Sequence, residues 1–584
     1  MMKKVKTFLV FLFGLTSVSA LSYQISDGFY PIFPIAGVVV SIGFTLLILY
    51  SGENLHTPHI LAILILIALL YRLGIFYLSP SLLGVDAVKH SVQGQWIRET
   101  GTISILAEGF YRRAPIFQIS LAQVSIVTDL RSDRALIFVP ILIGTIVPLV
   151  TAMFIRDSDL VKSTTETVAI GGLLAITGVA TNWFSIAPVA QILTLPLLFL
   201  SIISISKIRQ TADRRYLLIM ITLLIGMIFT HKLPNLVLTF CLGTLLIFGV
   251  VYRRELDYRI FKLMLLSGSL LLAQWIYVTD FFQNAVFLGV TTLDSIRSGR
   301  TGIGSSPSPS SNAVSAHPDL TAALLNKIHL IIILVAFFAA LIICANLFRN
   351  YDIGAETILA GIAPLSLLVA LGTFTPLMGG SIRYLLYAET LLAITVAIGI
   401  SLILHNHASS LSSDSVRSGI KILAFCTLVL VVTAQFGGSL STPDKPDTPR
   451  MYLTSDEVEG KQFQSTYISE TVYSDRYYAK FVVDPLVPIN RGETGALSGS
   501  SPGAMSDELR NATIVEQGYD YVSVRNNVDI YRLENARWYR LTWNQNKYLS
   551  ASYNRIYDNG NVTSYERVGG KMTKRTKQDV YAAL

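Results

Sequence analysis

The residues best placed to do chemistry cluster just beyond an apolar run, Ile60–Leu78, in the segment Gly84-Val85-Asp86-Ala87-Val88-Lys89-His90. A carboxylate next to the end of a membrane span is costly unless it has a partner or a task. Asp86 could accept a proton from an attacking hydroxyl, or hold a metal ion that does so. The structural alternative is a helix cap: Asp86 precedes a helix predicted over 88–99, with Lys89 and His90 in its first turn. The two roles are compatible. Further polar residues recur at the ends of other apolar runs: His231 and Lys232, Asp280, Arg383, and Glu389 about two turns beyond it, with Asn182 and Gln191 flanking Trp183. Cations at such a boundary need an anion, and the phosphate of a lipid head group matches guanidinium and ammonium geometry. Taken singly, each of these residues could instead snorkel to the interface or bond a neighbouring helix. Their common placement at one boundary is the argument. Arg112 and Arg113 lie in the aromatic-basic run Phe110–Phe117, which predicts a helix lying at head-group depth or a local anion site.

The elements that must carry these residues are hydrophobic. Of the 584 residues, 52% are hydrophobic and only 14% charged, and mean hydropathy is +0.53. That composition excludes an ordinary soluble enzyme and describes a multi-span membrane protein. About thirteen apolar runs approach the length of a span: 7–22, 29–50, 59–78, 135–155, 166–183, 185–206, 217–231, 234–251, 262–279, 328–348, 356–378, 384–404 and 419–438. The first, led by Met1-Met2-Lys3-Lys4 and ending at Ser17-Val18-Ser19-Ala20, reads as an uncleaved anchor in preference to a signal peptide. Cations gather at Lys3–Lys6, Lys207 to Arg215, Arg253 to Lys262, Arg349 and Arg417 to Lys421. With a cytoplasmic N-terminus all of these fall inside, as the positive-inside rule asks. The loop 79–134, the Asn182–Ser185 turn, the His231–Pro234 turn, loop 280–327 and Gly379–Tyr384 then face out. Arg112, Arg113, Arg131 and Arg134 break the rule in loop 79–134. The net charge of +8 is dispersed between apolar runs, so it marks topology and argues against nucleic acid as a partner.

The predicted organisation is a membrane domain over 1–438 and an extracytoplasmic domain over 439–584, either α/β or mostly β. Strand-like runs occur at 471–473, 481–483, 521–524, 528–533 and 538–542, and two sequons begin at Asn511 and Asn561. The Gly/Ser/Pro-rich stretch inside loop 280–327 predicts a mobile lid or linker. Cys241, Cys344 and Cys426 sit in apolar runs and read as packing residues. No Walker A, GxGxxG, HExxH or CxxC motif occurs. No metal ligand set is assigned, since His405-Asn406-His407 falls on the cytoplasmic side with no carboxylate nearby.

This pattern resembles the GT-C superfamily of polytopic membrane glycosyltransferases. Their first large outer loop bears an essential acid near its start. Gly84-Val85-Asp86-Ala87 with His90 matches that place, and Tyr111–Phe117 is similar to the aromatic-proline part of the loop. The segment Arg383 to Glu389 is similar to the arginine-bearing turn before a late span in prokaryotic, archaeal-type members. The resemblance covers roughly residues 1–440 in architecture, and its motifs are short. The chain lacks a WWDxG-type motif, having only Arg537-Trp538-Tyr539 and Thr542-Trp543-Asn544, and has Asp86-Ala87-Val88 in place of a DxD. Those departures argue against peptide-sequon transfer and tight metal dependence, although a divalent metal is compatible with the chemistry. The resemblance implies inverting transfer of a sugar from a polyprenyl-phosphate donor to a glycan or protein acceptor, with Asp86 as base. Lys89, His90, Arg112, Arg113, His231, Lys232, Asp280, Arg383 and Glu389 would bind substrate among membrane lipids. A transporter or flippase for a lipid-linked glycan is the alternative; its polar groups would lie near the midplane. A third reading makes the spans a mere anchor for a glycan- or partner-binding outer domain, but about thirteen spans exceed what anchoring requires.

Overall fold

A computed structural model describes most of the chain. Outside the described residues lie 1, 27, 30, 52–55, 107–109, 162–163, 212, 280, 284–285, 287–289, 291–327, 349–351, 375–381, 405–413, 438–449, 451, 469–471, 475–477, 479–493, 497–519, 527–529, 533–537, 541–548, 551–552 and 569–584. Asp280, the sequon at Asn511, the His405–His407 segment, the run 481–483 and nearly all of loop 280–327 therefore fall outside it.

The chain divides into two compact units. One holds Met1–Phe76, Ile97–Gly304 and Leu324–Thr442; the other holds Tyr77–Trp96, Ser305–Ala323 and Pro443–Leu584. The start of the predicted outer loop thus groups with the C-terminal residues.

The first unit is a helical bundle. Its helices include α1 (Met2–Ser26), α2 (Ile32–Ser51) and α3 (Thr57–Leu78). After α4 (Val85–Thr100), which starts in the other unit, come the short α5 (Phe110–Arg113), α6 (Ile116–Thr128) and α7 (Ser132–Ala135). The bundle continues with α8 (Phe138–Arg156), α9 (Thr164–Ile176), α10 (Val179–Ile186), α11 (Thr194–Thr211), α12 (Arg214–Ile228), α13 (Pro234–Phe248) and α14 (Tyr258–Ala273). Four further helices follow at Ile331–Leu347, Ile353–Phe374, Ile382–Leu402 and Asp414–Gly437. Among the described residues every predicted apolar run overlaps helix, but fewer than thirteen of the helices pass as spans by length and composition. Among the described residues 10 helices are long and apolar enough to cross a membrane, or 11 if the bent pair α9–α10 is one span. Two of the differences are physical: α12 has only 15 residues, and the run 166–183 is broken at Thr177-Gly178, where α9 and α10 meet at 55°. The loop 79–134 is itself largely helical, and the aromatic-basic run gives the four-residue α5, then Pro115 ahead of α6.

At the centre of the bundle lies Ile382–Leu402, buried from Tyr384 to Leu402, and packed against α8, α9, α10, Ile331–Leu347 and Ile353–Phe374. A helix with no lipid-facing stripe can carry polar side chains, provided the neighbours satisfy them. At the end that the cation pattern assigns to the cytoplasm, Arg209 pairs with Glu356 at 2.5 Å, both buried, and Asp352 accepts from Ser158 Oγ at 2.9 Å and Leu160 N at 3.0 Å. Lys207 pairs with Asp157 beside them.

The second unit is α/β. Strands β1 (Val472–Ser474), β2 (Thr494–Ala496), β3 (Tyr521–Arg525), β6 (Tyr553–Asp558) and β7 (Val562–Arg567) form a mixed sheet in the order β2-β1-β3-β7-β6. A separate hairpin pairs β4 (Ile530–Arg532) with β5 (Trp538–Arg540). The helix Ser455–Tyr467 opens with a reciprocal capping box between Thr454 and Glu457. Its Gln464 donates to Tyr478 OH (3.0 Å), Ser523 Oγ (2.7 Å) and Ser564 Oγ (3.1 Å), which ties the helix to β3 and β7. The sequon asparagine Asn561 immediately precedes β7. Its amide bonds Asp456, while Val562 and Thr563 are buried.

Candidate functional site

Asp86 stands in the first turn of α4, and its side chain is exposed. The helix begins at Val85, three residues earlier than predicted, so Asp86 lies inside the first turn, where a carboxylate still complements the helix dipole. Gly84 precedes it at φ 80°, a left-handed conformation that glycine adopts without strain. The start of the helix is held within the second unit. Val85 packs on Leu453, Tyr478 and Val562, and Ser81 Oγ accepts from Leu453 N at 2.7 Å. The candidate base is therefore mounted on the core of the C-terminal unit. Lys89 is exposed one turn on, whereas His90 is buried. Burial pushes the His90 imidazole down to about 4, although the Asp86 charge and a Gln93 hydrogen bond oppose the shift. His90 is thus a neutral ring near neutral pH.

Two of the predicted cations of the first unit, Lys232 and Arg383, approach each other near the turn between α12 and α13. Phe229 O accepts from Ile116 N at 3.3 Å, which fastens the turn to α6. The Phe110 ring meets His231 edge-on, with centroids 5.9 Å apart, and His231 Nδ1 accepts from Leu233 N at 3.3 Å. Gln274 Nε2 donates to Ile228 O (2.6 Å) and His231 O (3.2 Å), and Trp275 Nε1 donates to Lys232 O (3.3 Å). The Lys232 ammonium lies over the Phe281 ring, 3.8 Å from its centroid. Burial first, and then the charge of Arg383, lower its proton affinity. The structure thus brings Lys232 within electrostatic reach of Arg383, although the two are far apart in sequence. Arg112 and Arg113 are exposed on α5.

Glu389 is buried and already engaged. It accepts from Ala180 N (2.8 Å), Thr181 N (2.9 Å) and Thr181 Oγ1 (3.0 Å), and so caps the N-terminus of α10. On the other side of the break, Arg72 donates to Ile176 O (3.2 Å) at the C-terminus of α9, and to Ser185 Oγ (3.0 Å) and Ala68 O (3.3 Å). Thr177, within the break, bonds Gln435. An anion at one half-helix end and a cation at the other is the arrangement the two dipoles favour. Arg72 was not singled out from sequence, although an arginine inside an apolar run is itself a signal. Also unforeseen were Thr194 and Tyr387, which with Gln191 pin the start of Ile382–Leu402. Among the described residues no group of three or more potential ligands could hold a metal ion.

Neither a family model nor a curated protein sequence matches this chain. Solved structures do. The archaeal oligosaccharyltransferase AglB from Archaeoglobus fulgidus, solved with an inhibitory peptide and a dolichol-phosphate, superposes with a TM-score of 0.50 at 11% identity over 82% of this chain and 70% of that one. At that identity the likeness is one of fold: the chain shares the polytopic helical fold of that structure. Two more structures with lower scores are ArnT from Cupriavidus metallidurans and the mycobacterial arabinofuranosyltransferase AftD. ArnT gives a TM-score of 0.45 at 11% identity over 85% of this chain and 97% of that one. AftD gives 0.42 at 11% identity over 87% and 40%. In this chain the polar residues are divided. Asp86, Lys89 and His90 belong to the second unit, and Arg112, Arg113, His231, Lys232, Arg383 and Glu389 to the first.

Proposed function

We propose that the protein is an inverting membrane glycosyltransferase that moves a sugar from a polyprenyl-phosphate donor to an extracytoplasmic glycan or protein acceptor. The observation that carries this reading is the pairing of Lys232 with Arg383 at one end of a GT-C bundle. Two like charges brought together at a membrane boundary are poised to take a phosphate that leaves as a dianion. The donor's tail would lie among the spans, with its phosphate on Lys232 and Arg383, and His231 beside them. These cations would stabilise the leaving phosphate. Asp86 would take the proton of the acceptor hydroxyl as that oxygen attacks the anomeric carbon from the face opposite the departing phosphate. Lys89, His90, Arg112 and Arg113 would line the path of the substrates. The N-terminus is cytoplasmic and the C-terminal residues are outside in this reading, as the cation distribution asks.

A broken helix with charged residues in mid-bundle favours a second reading, a flippase for lipid-linked glycan. Here, however, both half-helix ends at the break are met by the protein's own Glu389 and Arg72, where a transporter would present them to substrate. The test is incubation of the purified protein with labelled polyprenyl-phosphate hexoses and a lipid extract. Transfer of label to an acceptor supports the enzyme; movement of intact donor across vesicles without transfer supports the flippase. Asp86→Asn should lower transfer by ~10²–10⁴-fold, and a folded Asp86→Asn protein with full activity removes the proposal.

A further inference from the structure

A closed set of hydrogen bonds sits directly behind Arg383. Gln191 Nε2 donates to Arg383 O at 2.8 Å. Thr194 Oγ1 donates to Gln191 O at 2.6 Å and lies 2.7 Å from Tyr387 OH. The one hydroxyl proton of Thr194 goes to the Gln191 carbonyl, so Tyr387 must donate to Thr194. Gln191, Thr194 and Tyr387 are all buried, whereas Arg383 is half-buried. Gln191 lies on a short 3₁₀ turn, Ala190–Leu193, that runs straight into α11 at Thr194, and the acceptor Arg383 O lies in the first turn of Ile382–Leu402, one turn before Tyr387.

We infer that Gln191 is a positioning residue for Arg383. The N–H groups in the first turn of a helix lack the carbonyl partners that stabilise its interior, so the turn is prone to fray. Arg383 stands there, and its guanidinium is at the end of a long side chain, so a small tilt of the turn displaces the charge by a larger distance. The Gln191 amide removes that freedom by fixing the Arg383 peptide from outside the helix, and Tyr387 one turn later fixes the 3₁₀ turn in return. Glu389 makes a second attachment of the same kind, because it holds α10, which precedes the 3₁₀ turn, to the same helix. Arg383 is therefore aimed by a segment nearly 200 residues earlier in the chain, as the sequence separation of 192 between Gln191 and Arg383 shows. Misplacing a ligand group by about 1 Å can cost on the order of 10²-fold, which gives this lock a function beyond packing.

The inference rests on the reading of Arg383 as a phosphate ligand, and a double-mutant cycle separates the two. Farnesyl phosphate, a short soluble polyprenyl phosphate, is titrated into the full-length protein in nanodiscs. Gln191→Met keeps the length of the side chain and removes the donor. It should weaken binding by about five- to tenfold, and Arg383→Gln by about ten- to a hundredfold. The double variant should bind within about twofold of Arg383→Gln alone, because a positioning residue has nothing left to position. Wild-type affinity in Gln191→Met, or losses that multiply in the double variant, overturns the positioning role and leaves the phosphate reading intact. Wild-type affinity in Arg383→Gln overturns the phosphate reading and the inference with it. If Gln191→Met does not fold, Tyr387→Phe, which removes one hydroxyl from the same lock, takes its place in the cycle with the same expected non-additivity.

Discussion

Removing the Glu389 carboxylate should unfold the bundle more readily than any surface change. Three donors converge on it: Ala180 N at 2.8 Å, Thr181 N at 2.9 Å and Thr181 Oγ1 at 3.0 Å. Each bond to a charged acceptor contributes about 1.5–3 kcal/mol. The donors cannot turn to water, because Ala180, Thr181 and Glu389 are all buried. Glu389→Leu should therefore cost about 3–5 kcal/mol, the range for breaking a buried ionic network by removing one partner. That is a large part of a total stability of roughly 5–15 kcal/mol. Glu389→Gln keeps one acceptor oxygen but turns an amide donor towards the remaining N–H groups, so about 1–2 kcal/mol should be lost. Arg72→Met should resemble Glu389→Leu. The two charges act on each other across the break, so the double variant should be about 1–2 kcal/mol more stable than the summed losses predict. Unfolding in mixed micelles, followed by tryptophan fluorescence and monitored for recovery, measures all four. Strict additivity would refute the reasoning. So would a Glu389→Gln protein of full stability that has lost affinity for a polyprenyl phosphate, which would return Glu389 to substrate binding.

Three further outcomes follow from the same geometry. A Cβ at Gly178 would lie 2.5 Å from Glu389 Oε2, so Gly178→Ala should displace the carboxylate and cost about 1–3 kcal/mol in the same assay. His90 is held neutral in the fold at about 4, below its ordinary value of 6.5. The stabilisation it provides is complete above pH 6.5 and is lost as pH falls towards 4, because the unfolded chain takes up the proton first. Hydrogen exchange in the Val85–Trp96 segment should accelerate across that window in the wild type, and His90→Leu should abolish the acceleration. Gln464→Leu leaves Tyr478, Ser523 and Ser564 without their shared amide. It should cost about 1–3 kcal/mol, seen as faster exchange in β3 and β7 than in the helical bundle.

Hydropathy made the bundle legible, because every span must satisfy its own backbone within lipid and therefore reads as a long apolar run. What it could not give was the break inside 166–183. Thr177-Gly178 is no stronger a helix breaker than other pairs in these runs, and the break exists because Arg72 and Glu389 meet the two exposed ends. Both partners come from other helices, and a one-dimensional pattern does not record such pairings. Strands β1, β3, β4 and β5 fall on the short β-branched and aromatic runs of the sequence, whereas β6, with Asn554, Arg555 and Asp558, has too little apolar alternation to stand out. Asp86 and Arg383 could be picked out as charges at span ends. The contact of Arg383 with Gln191 could not, since a glutamine near a tryptophan hairpin carries no mark of the carbonyl it will meet.

The enclosed helix Ile382–Leu402 has a consequence for biogenesis. It is translated after α8, α9 and α10, against which it packs. Until Glu389 arrives, the N-terminal amides of α10 at Ala180 and Thr181 lack their carboxylate acceptor. A chain terminated before residue 389 should therefore present an uncapped buried helix end to the assembly and quality-control machinery of the membrane.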